Sequence, residues 1–529
     1  MKPMKTPGVY VVEKDAFPNS IVQVATAVPA FIGYTETAAN GSKSLHRTPW
    51  RISSMAEYHT YFGYGAAPSF GIEEKPQGSD DVPDFRVGGK DYLLRQQSTP
   101  YLLYGAMKLF FQNGGGPCYV VSVGSYDDPI EPDPLKTAID LLVKEQEPTL
   151  VVIPETVRLE AADAITVQQA MLKHCGTMKN RFAVLDIHEG WRDRQDPAGD
   201  PIDAFRNALG VNFLDYGAAY YPWVDTTIFQ DRALTFENIA ESARPLLQQL
   251  LRTELGLPAP AAGGEGSGED GGERGAGGAV GPVTIADRQQ ETVAALTAGF
   301  SDLADAEVAT HKAMLDKSLR AISPLYGEVM ADMAFKLNRL PAAAAMVGIY
   351  TMVDATRGVW KAPANVSLNS VTAATVNVSH DDQEDLNVTP QGKSINAIRP
   401  FIGEGVLVWG GRTLDGNSLD WRYVNVRRTM IMIEESIRLA SKAYVFEPNT
   451  ANTWVTMRSM IRNFLTGIWK AGGLAGAAPE DAFSVHVGLG ETMTPNDILE
   501  GILKITVLVA VSRPAEFIEI TFQQQQQRS

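Results

Sequence analysis

The pattern of apolar and polar positions changes several times along this chain, and each change predicts a different kind of element. From Cys118 to Tyr221, short apolar runs at Cys118–Val123, Thr149–Ile153, Arg181–Ile187 and Tyr216–Tyr221 alternate with helix-like stretches around Leu135–Glu145, Ala161–Lys179 and Ile202–Leu209. Near-continuously apolar strands separated by helices predict a parallel sheet covered on both faces. A helix is predicted over Pro100–Gln112, with Leu103, Met107 and Phe110 on one face and Asn113-Gly114-Gly115-Gly116-Pro117 ending it. Tyr58–Pro83 is rich in aromatics, glycine and proline and reads as surface loops.

Further along, a helix near Glu237–Glu254 leads into Gly256–Pro282, a stretch of Gly, Ala, Pro and Glu that has too little apolar surface to offset its ordering entropy. It is expected to be a flexible surface insertion. Helical text resumes at Ala286 and runs to about Leu337. Val347–Val353 and Asn365–Val378 then read as extended, Asp381-Asp382-Gln383-Glu384-Asp385 as a solvated acidic loop, and Phe401–Gly411 as a strand closed by glycines. Two amphipathic helices follow: Val426–Tyr444, with Val426, Met430, Ile433, Ile437, Ala440 and Tyr444 in one stripe, and Thr453–Lys470, with Trp454, Met457, Ile461, Leu465 and Ile468. Both are expected to pack on one sheet. A short helix opens at Thr494-Pro495-Asn496-Asp497, with threonine as N-cap, and reaches about Leu503.

The chain closes on two strands, Lys504–Val511 and, after Arg513-Pro514, Glu516–Phe522. In the second, Ile518, Ile520 and Phe522 alternate with Phe517, Glu519 and Thr521, and no later segment can pair with it. The other end carries a similar β-prone run, Val9, Tyr10, Val11 and Val12, after Pro7. Unpaired strand edges template association. Val9–Val12 and Phe517–Phe522 are therefore expected to exchange strands between copies of the chain.

Composition narrows the function classes. With 46 Lys and Arg against 62 Asp and Glu, the formal net charge of −16 opposes binding to nucleic acid or an anionic membrane surface. A length of 529 residues predicts two or more domains, and 44% hydrophobic with 20% charged residues is ordinary for a soluble globular protein. The two cysteines, Cys118 and Cys175, form no CxxC pair, which fits a reducing cytoplasm rather than a disulfide framework. The start of the chain shows no apolar core of a secretory signal, and the apolar run Ile505–Val511 is too short to span a bilayer, so no membrane insertion is expected.

Candidate chemistry is sparse. The seven histidines fall at no metal-ligand spacing. Asp186-Ile187-His188-Glu189 ends a predicted strand, where α/β sites form, and Asp186 and His188 would share a side, but a polar strand-end turn explains the cluster more simply. His174-Cys175 would point about 100° apart on a helix, which argues against a thiolate nucleophile. Gly114–Gly116 precedes a strand instead of following one, so it is no phosphate cradle. No catalytic residue, metal site or cofactor is predicted. Arg458 and Arg462, four apart on the outward face of their helix, read either as a solvated face or as a basic row for a partner; the acidic pair Glu434 and Glu435 reads either as solvated or as a partner contact.

Several motifs, in order, resemble the contractile phage tail sheath family. They are Thr6-Pro7-Gly8-Val9-Tyr10, Val28-Pro29-Ala30-Phe31-Ile32-Gly33-Tyr34, Asn113–Val121, Asn338-Arg339-Leu340-Pro341 with Arg357-Gly358-Val359-Trp360, Trp421-Arg422-Tyr423-Val424-Asn425-Val426-Arg427-Arg428, and Pro514-Ala515-Glu516-Phe517-Ile518. Ala342 stands where the family often has a second proline. The resemblance covers roughly the first 35 and the last 190 residues and is nearest in style to sheath subunits of extracellular contractile injection systems. It implies an α/β (α+β) sheath-like core with helices on a mixed sheet and terminal β-arms, plus an inserted α/β domain. The expected units are 1–20 (arm), 21–130 and 337–512 (core), 131–336 (insert, with 256–282 flexible) and 513–529 (arm).

The resemblance also implies a non-enzymatic subunit that stacks in six-fold rings around an inner tube protein on a baseplate, below a tail terminator or cap. Such a subunit is assembled in the bacterial cytoplasm as part of a phage tail or tail-like particle and contracts to drive the tube through an envelope. The tube would meet Arg458 and Arg462. The competing readings are a cytoplasmic α/β enzyme with its site at Asp186–Glu189, and a tube or baseplate subunit, which the length disfavours.

Overall fold

The computed structural model describes residues 20–258, 284–298 and 305–520. Its centre is a nine-stranded sheet, in the order Val366–Ser367, Gly405–Trp409, Asn396–Phe401, Gly217–Tyr221, Phe182–Asp186, Leu150–Val152, Pro29–Tyr34, Cys118–Gly124, Trp50–Ile52. The strands from Asn396–Phe401 to Cys118–Gly124 are parallel, and the outer pairings are antiparallel. Every residue of Pro29–Tyr34, Cys118–Gly124 and Phe182–Asp186 is buried, so both faces of this stack are covered. Helices Leu103–Gln112 and Ala343–Arg357 pack together, as do Pro132–Leu141 and Ala161–Met178. Leu103, Met107 and Phe110 point inward as their spacing predicts.

Numbered along the chain, the parallel strands run 2-1-3-4-5-6 across the sheet, the order of a doubly wound fold with its switch point between Pro29–Tyr34 and Leu150–Val152. This sheet changes the expected division of the chain. The breaks at 130/131 and 336/337 run through it, because Pro29–Tyr34 lies in its middle and Asn396–Phe401 continues it. An apolar parallel strand has the same sequence pattern whether its neighbours are close or distant in the chain. The segment that does leave the sheet is shorter: Val224–Thr226 pairs antiparallel with Arg339–Leu340, and the chain between them makes an excursion. Its helices Arg244–Glu254, Asp305–Ile322 and Pro324–Leu337 share a separate core with the antiparallel sheet Phe70–Glu74, Lys90–Gln96, Phe85–Val87.

Other expectations change for local reasons. Tyr58–Pro83 is not all loop: it includes most of helix Met55–Phe62, capped by Ser54, and strand Phe70–Glu74. Val347–Val353 lies inside helix Ala343–Arg357, because burial on nearly every side outweighs its β-branched content. The acidic stretch is helix His380–Asn387 with a Ser379/Asp382 capping box, and Asp385 is held by Arg194 and Arg206. The expected flexible segment falls mostly on 259–282, outside the described residues.

A third core forms the C-terminal body. Helix Ala451–Lys470 buries Met457, Met460, Ile461, Leu465 and Ile468 against the C-terminal half of Val424–Ser441 and a two-stranded antiparallel ribbon of Phe483–His486 and Thr506–Val509. A buried ion pair ties this body to the central one. Arg428 donates to both Asp354 oxygens (3.0 and 2.6 Å) and to the Thr26 carbonyl, with its guanidinium over the Tyr350 ring.

Candidate functional site

The strand end proposed for chemistry is filled by the fold. Asp186 closes its strand, and its carboxylate accepts from the Ala343 amide at 2.7 Å, capping a helix whose own N-cap residue, Ala342, cannot. Burial pushes its pKa up to about 7, opposed by the Ala343 and Ala342 amides. One strand over, at the switch point, Glu155 is fully buried and accepts from the Leu103 amide at 2.9 Å; burial raises it to about 7 as well. A Cβ on Gly33 would lie 2.5 Å from the Glu155 carboxylate, so no crevice opens there.

The strand end also fails to gather a reactive set. Glu189 turns away to pair with Arg192, and His188 Nδ1 has no hydrogen-bond partner among the described residues. The described residues contain no group of three or more His, Cys, Asp or Glu able to hold a metal ion. Cys175 is buried and its thiol is raised to about 12, while His174 Nε2 meets Arg181 at 3.1 Å.

The C-terminal body presents the surface of interest, because both ends of the described chain leave from it. At one end Ile21 packs in its core, and the Val24 amide donates to Ser436 Oγ at 3.1 Å. At the other, the chain leaves the ribbon at Val509 and is held by Ala475 N to Ala510 O (2.7 Å), Ser512 N to Gly473 O (3.1 Å) and Asn425 Nδ2 to Ser512 O (3.2 Å). From Arg513 to Ile520 it forms no strand. Phe517, Ile518 and Ile520 are 75%, 77% and 69% exposed, a run of large apolar side chains that a lone soluble chain has reason to cover. Both the ribbon and this segment offer unpaired backbone. Val9–Val12, Thr521 and Phe522 lie outside the described residues, and Glu519 is exposed beside Ile518.

Two ion pairs fasten the segment among the described residues: an exposed one of Arg513 with Asp420 at 3.7 Å and a largely buried one at Glu516. The Glu516 carboxylate receives Arg412 Nε (2.9 Å) and Nη2 (2.6 Å), Tyr423 Oη (3.1 Å) and Asn387 Nδ2 (3.4 Å). Arg412 is almost fully buried, and its Nη1 donates to the Asn387 carbonyl at 2.9 Å. Arg412 and Asn387 were not among the residues the sequence singled out, since 104 positions separate Arg412 from Glu516 and no local pattern joins them.

The basic row is less free than its spacing suggests. Arg458 Nη2 is occupied by Glu491 and by the Val487 carbonyl, both at 2.5 Å. Arg462 is half exposed and only 3.9 Å from Glu480. Of the acidic neighbours, Glu435 is taken by Arg438, and burial raises the pKa of Glu434.

Comparison with known proteins places these features in a class. Residues 417–525, the stretch that holds the two helices, the ribbon and Glu516, match the family model of the phage tail sheath C-terminal domain. A putative prophage major tail sheath protein of Pseudomonas aeruginosa is 27% identical over 162 residues, which are 30% of this chain and 41% of that relative. The chain is similar to contractile tail sheath proteins, in sequence over part of the curated relatives it matches and in fold over nearly its whole length. Along its whole length it is similar to a chain of the anti-feeding prophage helical sheath in its contracted state, at 26% identity and a TM-score of 0.57, covering 99% of this chain and 100% of that one. It also shares the fold of the extracellular contractile injection system PVC sheath complex, at 24% identity and a TM-score of 0.56 over 99% of both chains.

Proposed function

We propose that the protein is a sheath subunit that polymerises as stacked six-fold rings around an inner tube and drives that tube outward when the lattice shortens. The observation that carries this reading is the C-terminal body: both ends of the described chain emerge from it, next to a ribbon with unpaired edges, and the outgoing segment is apolar and uncovered. Strands Val9–Val12 and Phe517–Phe522 would add to the ribbons of neighbouring copies, so backbone ladders hold the lattice while the subunits rotate. The similar anti-feeding prophage chains come from a helical sheath and from a six-fold symmetrised baseplate, which supports self-assembly and a baseplate partner here. The role is mechanical, with assembly in the bacterial cytoplasm and further partners in the inner tube and a terminator or cap.

The geometry dictates where to cut. Removing Arg513–Ser529 would also remove Glu516 and strand a buried Arg412, confounding assembly with folding. Truncation after Glu516 keeps that pair. The shortened chain is expected to stay folded by circular dichroism yet form no rings or tubes in electron micrographs. Tubes of normal appearance from it, or a full-length protein that stays monomeric at all concentrations, would reject the proposal.

Arg462 is the better tube-facing candidate of the basic pair, since Arg458 is already engaged. Arg462→Glu should reduce co-sedimentation of sheath with tube several-fold at low salt, with a smaller effect at high salt. Equal co-sedimentation at all salt concentrations would remove this residue from the interface.

A further inference from the structure

We propose that Glu516 and Arg412 form a mechanical clamp that passes traction on the C-terminal arm into the central sheet and spares the ribbon. The inference rests on the strand-exchange reading for its purpose, though its test needs no lattice. Glu516 is the last fixed point of the outgoing segment: the described residues after it, Phe517–Ile520, are exposed and belong to no strand. Any pull from beyond therefore reaches the Glu516 carboxylate first.

From there a continuous polar path leads inward. The carboxylate takes the Arg412 fork at Nε and Nη2, a two-point contact that resists rotation as well as extension. The Arg412 backbone is itself gripped by the amide of Asn396, whose Oδ1 accepts the Arg412 N–H at 2.7 Å and whose Nδ2 donates to the Arg412 carbonyl at 2.8 Å. The same Nδ2 reaches the Ala219 carbonyl at 3.2 Å. Asn396 begins one parallel strand and Ala219 lies within the next, with Tyr220 opposite Asn396 in the ladder. Asn396 is fully buried, so this link is shielded from competing water.

The alternative route is weaker. Without the clamp, a pull would run back through Ser512 and Ala510 into the two-stranded ribbon and open its ladder one bond at a time. That ribbon has only four paired positions and draws its stability from packing on helix Ala451–Lys470. Arg412 and Asn396 are thus positioning residues that decide which body bears the load.

The test is to stretch the full-length protein in an optical trap. One handle sits on the C-terminus and the other at Val211, an exposed position between helix Pro201–Ala208 and strand Gly217–Tyr221. Glu516→Gln should lower the force of the first rupture at least two-fold, whereas Glu519→Gln, beyond the clamp, should leave it unchanged. A second axis, from Val211 to the exposed Ile285 in the excursion, bypasses the clamp and should rupture at the wild-type force in every variant. If Glu516→Gln does not fold, Tyr423→Phe carries the test, since it removes one hydrogen bond to Glu516 and keeps the ion pair; a lower first-rupture force on the arm axis alone is then expected. Unchanged force on the arm axis, or an equal drop on both axes, would overturn the clamp. Either result would leave the sheath reading to be judged by the micrographs.

Discussion

Two residues at the strand ends, Asp186 and Glu155, show how this fold has traded a site for a seam. In a doubly wound sheet the carboxyl ends of the strands near the switch point form the ligand crevice. Here those ends receive the first turns of helices Ala343–Arg357 and Leu103–Gln112, and the two carboxylates supply the acceptors that those turns lack. The consequence is a pH dependence of stability. Both pKa values stand near 7 in the folded protein, against about 4 when unfolded. The folded state thus binds more protons between those values, and stability contributed below about pH 4 is lost as the pH rises through 7. A shift of that size corresponds to at most about 4 kcal/mol per group. Asp186→Asn keeps an oxygen for the Ala343 amide and cannot titrate. Its stability relative to wild type should improve by about 2.5 kcal/mol between pH 5 and pH 8, read from urea midpoints at the two pH values. A constant difference would mean that Asp186 stays ionised at its cap.

At the scale of elements, periodicity exposed what each segment buries and left open what it is buried against. The parallel strands around Val121, Val152, Val184 and Ala219 and the helices carrying Leu103, Ile433 and Ile461 follow from local pattern, because a period of two or 3.6 is a property of the segment itself. Two segments read locally came out wrong for tertiary reasons: Val347–Val353, whose helix is buried on nearly every side, and Asp381–Asp385, whose charge is absorbed by Arg194 and Arg206 from another part of the chain. Of the candidate site, the alternation in Glu516–Phe522 predicted a strand, and the described part up to Ile520 is exposed but forms none in the single chain; Arg412 as its anchor was not legible, since ion pairs across 104 residues leave no periodic trace. The C-terminal body makes the division testable. Ile461 is fully buried between its helix and the ribbon. Ile461→Ala should cost about 2–4 kcal/mol. The loss should appear as faster hydrogen exchange in Phe483–His486 and Thr506–Val509, with the central strands unchanged. Uniformly faster exchange would mean that the two bodies unfold as one.

The whole molecule sets a constraint that no single contact reveals. Each copy carries a formal charge of −16, so stacking copies in a sheath concentrates like charge along the lattice. Backbone ladders between arms are insensitive to salt, whereas repulsion between subunits is screened over about 10 Å at 0.1 M ionic strength. On the proposed sheath reading, contacts between copies and contacts with an inner tube should therefore respond to salt in opposite directions. If strand pairing joins the copies as proposed, raising ionic strength from about 20 mM to about 300 mM should lower the protein concentration needed for tube formation, because repulsion falls while the pairing persists. Over the same range, if Arg462 meets an acidic surface of an inner tube as proposed, that binding should weaken, because attraction between opposite charges is screened as well. Light scattering of the sheath alone and co-sedimentation with the tube would give the two slopes. A sheath that assembles less readily as salt rises would show that ion pairs between copies, more than strand exchange, hold the lattice together.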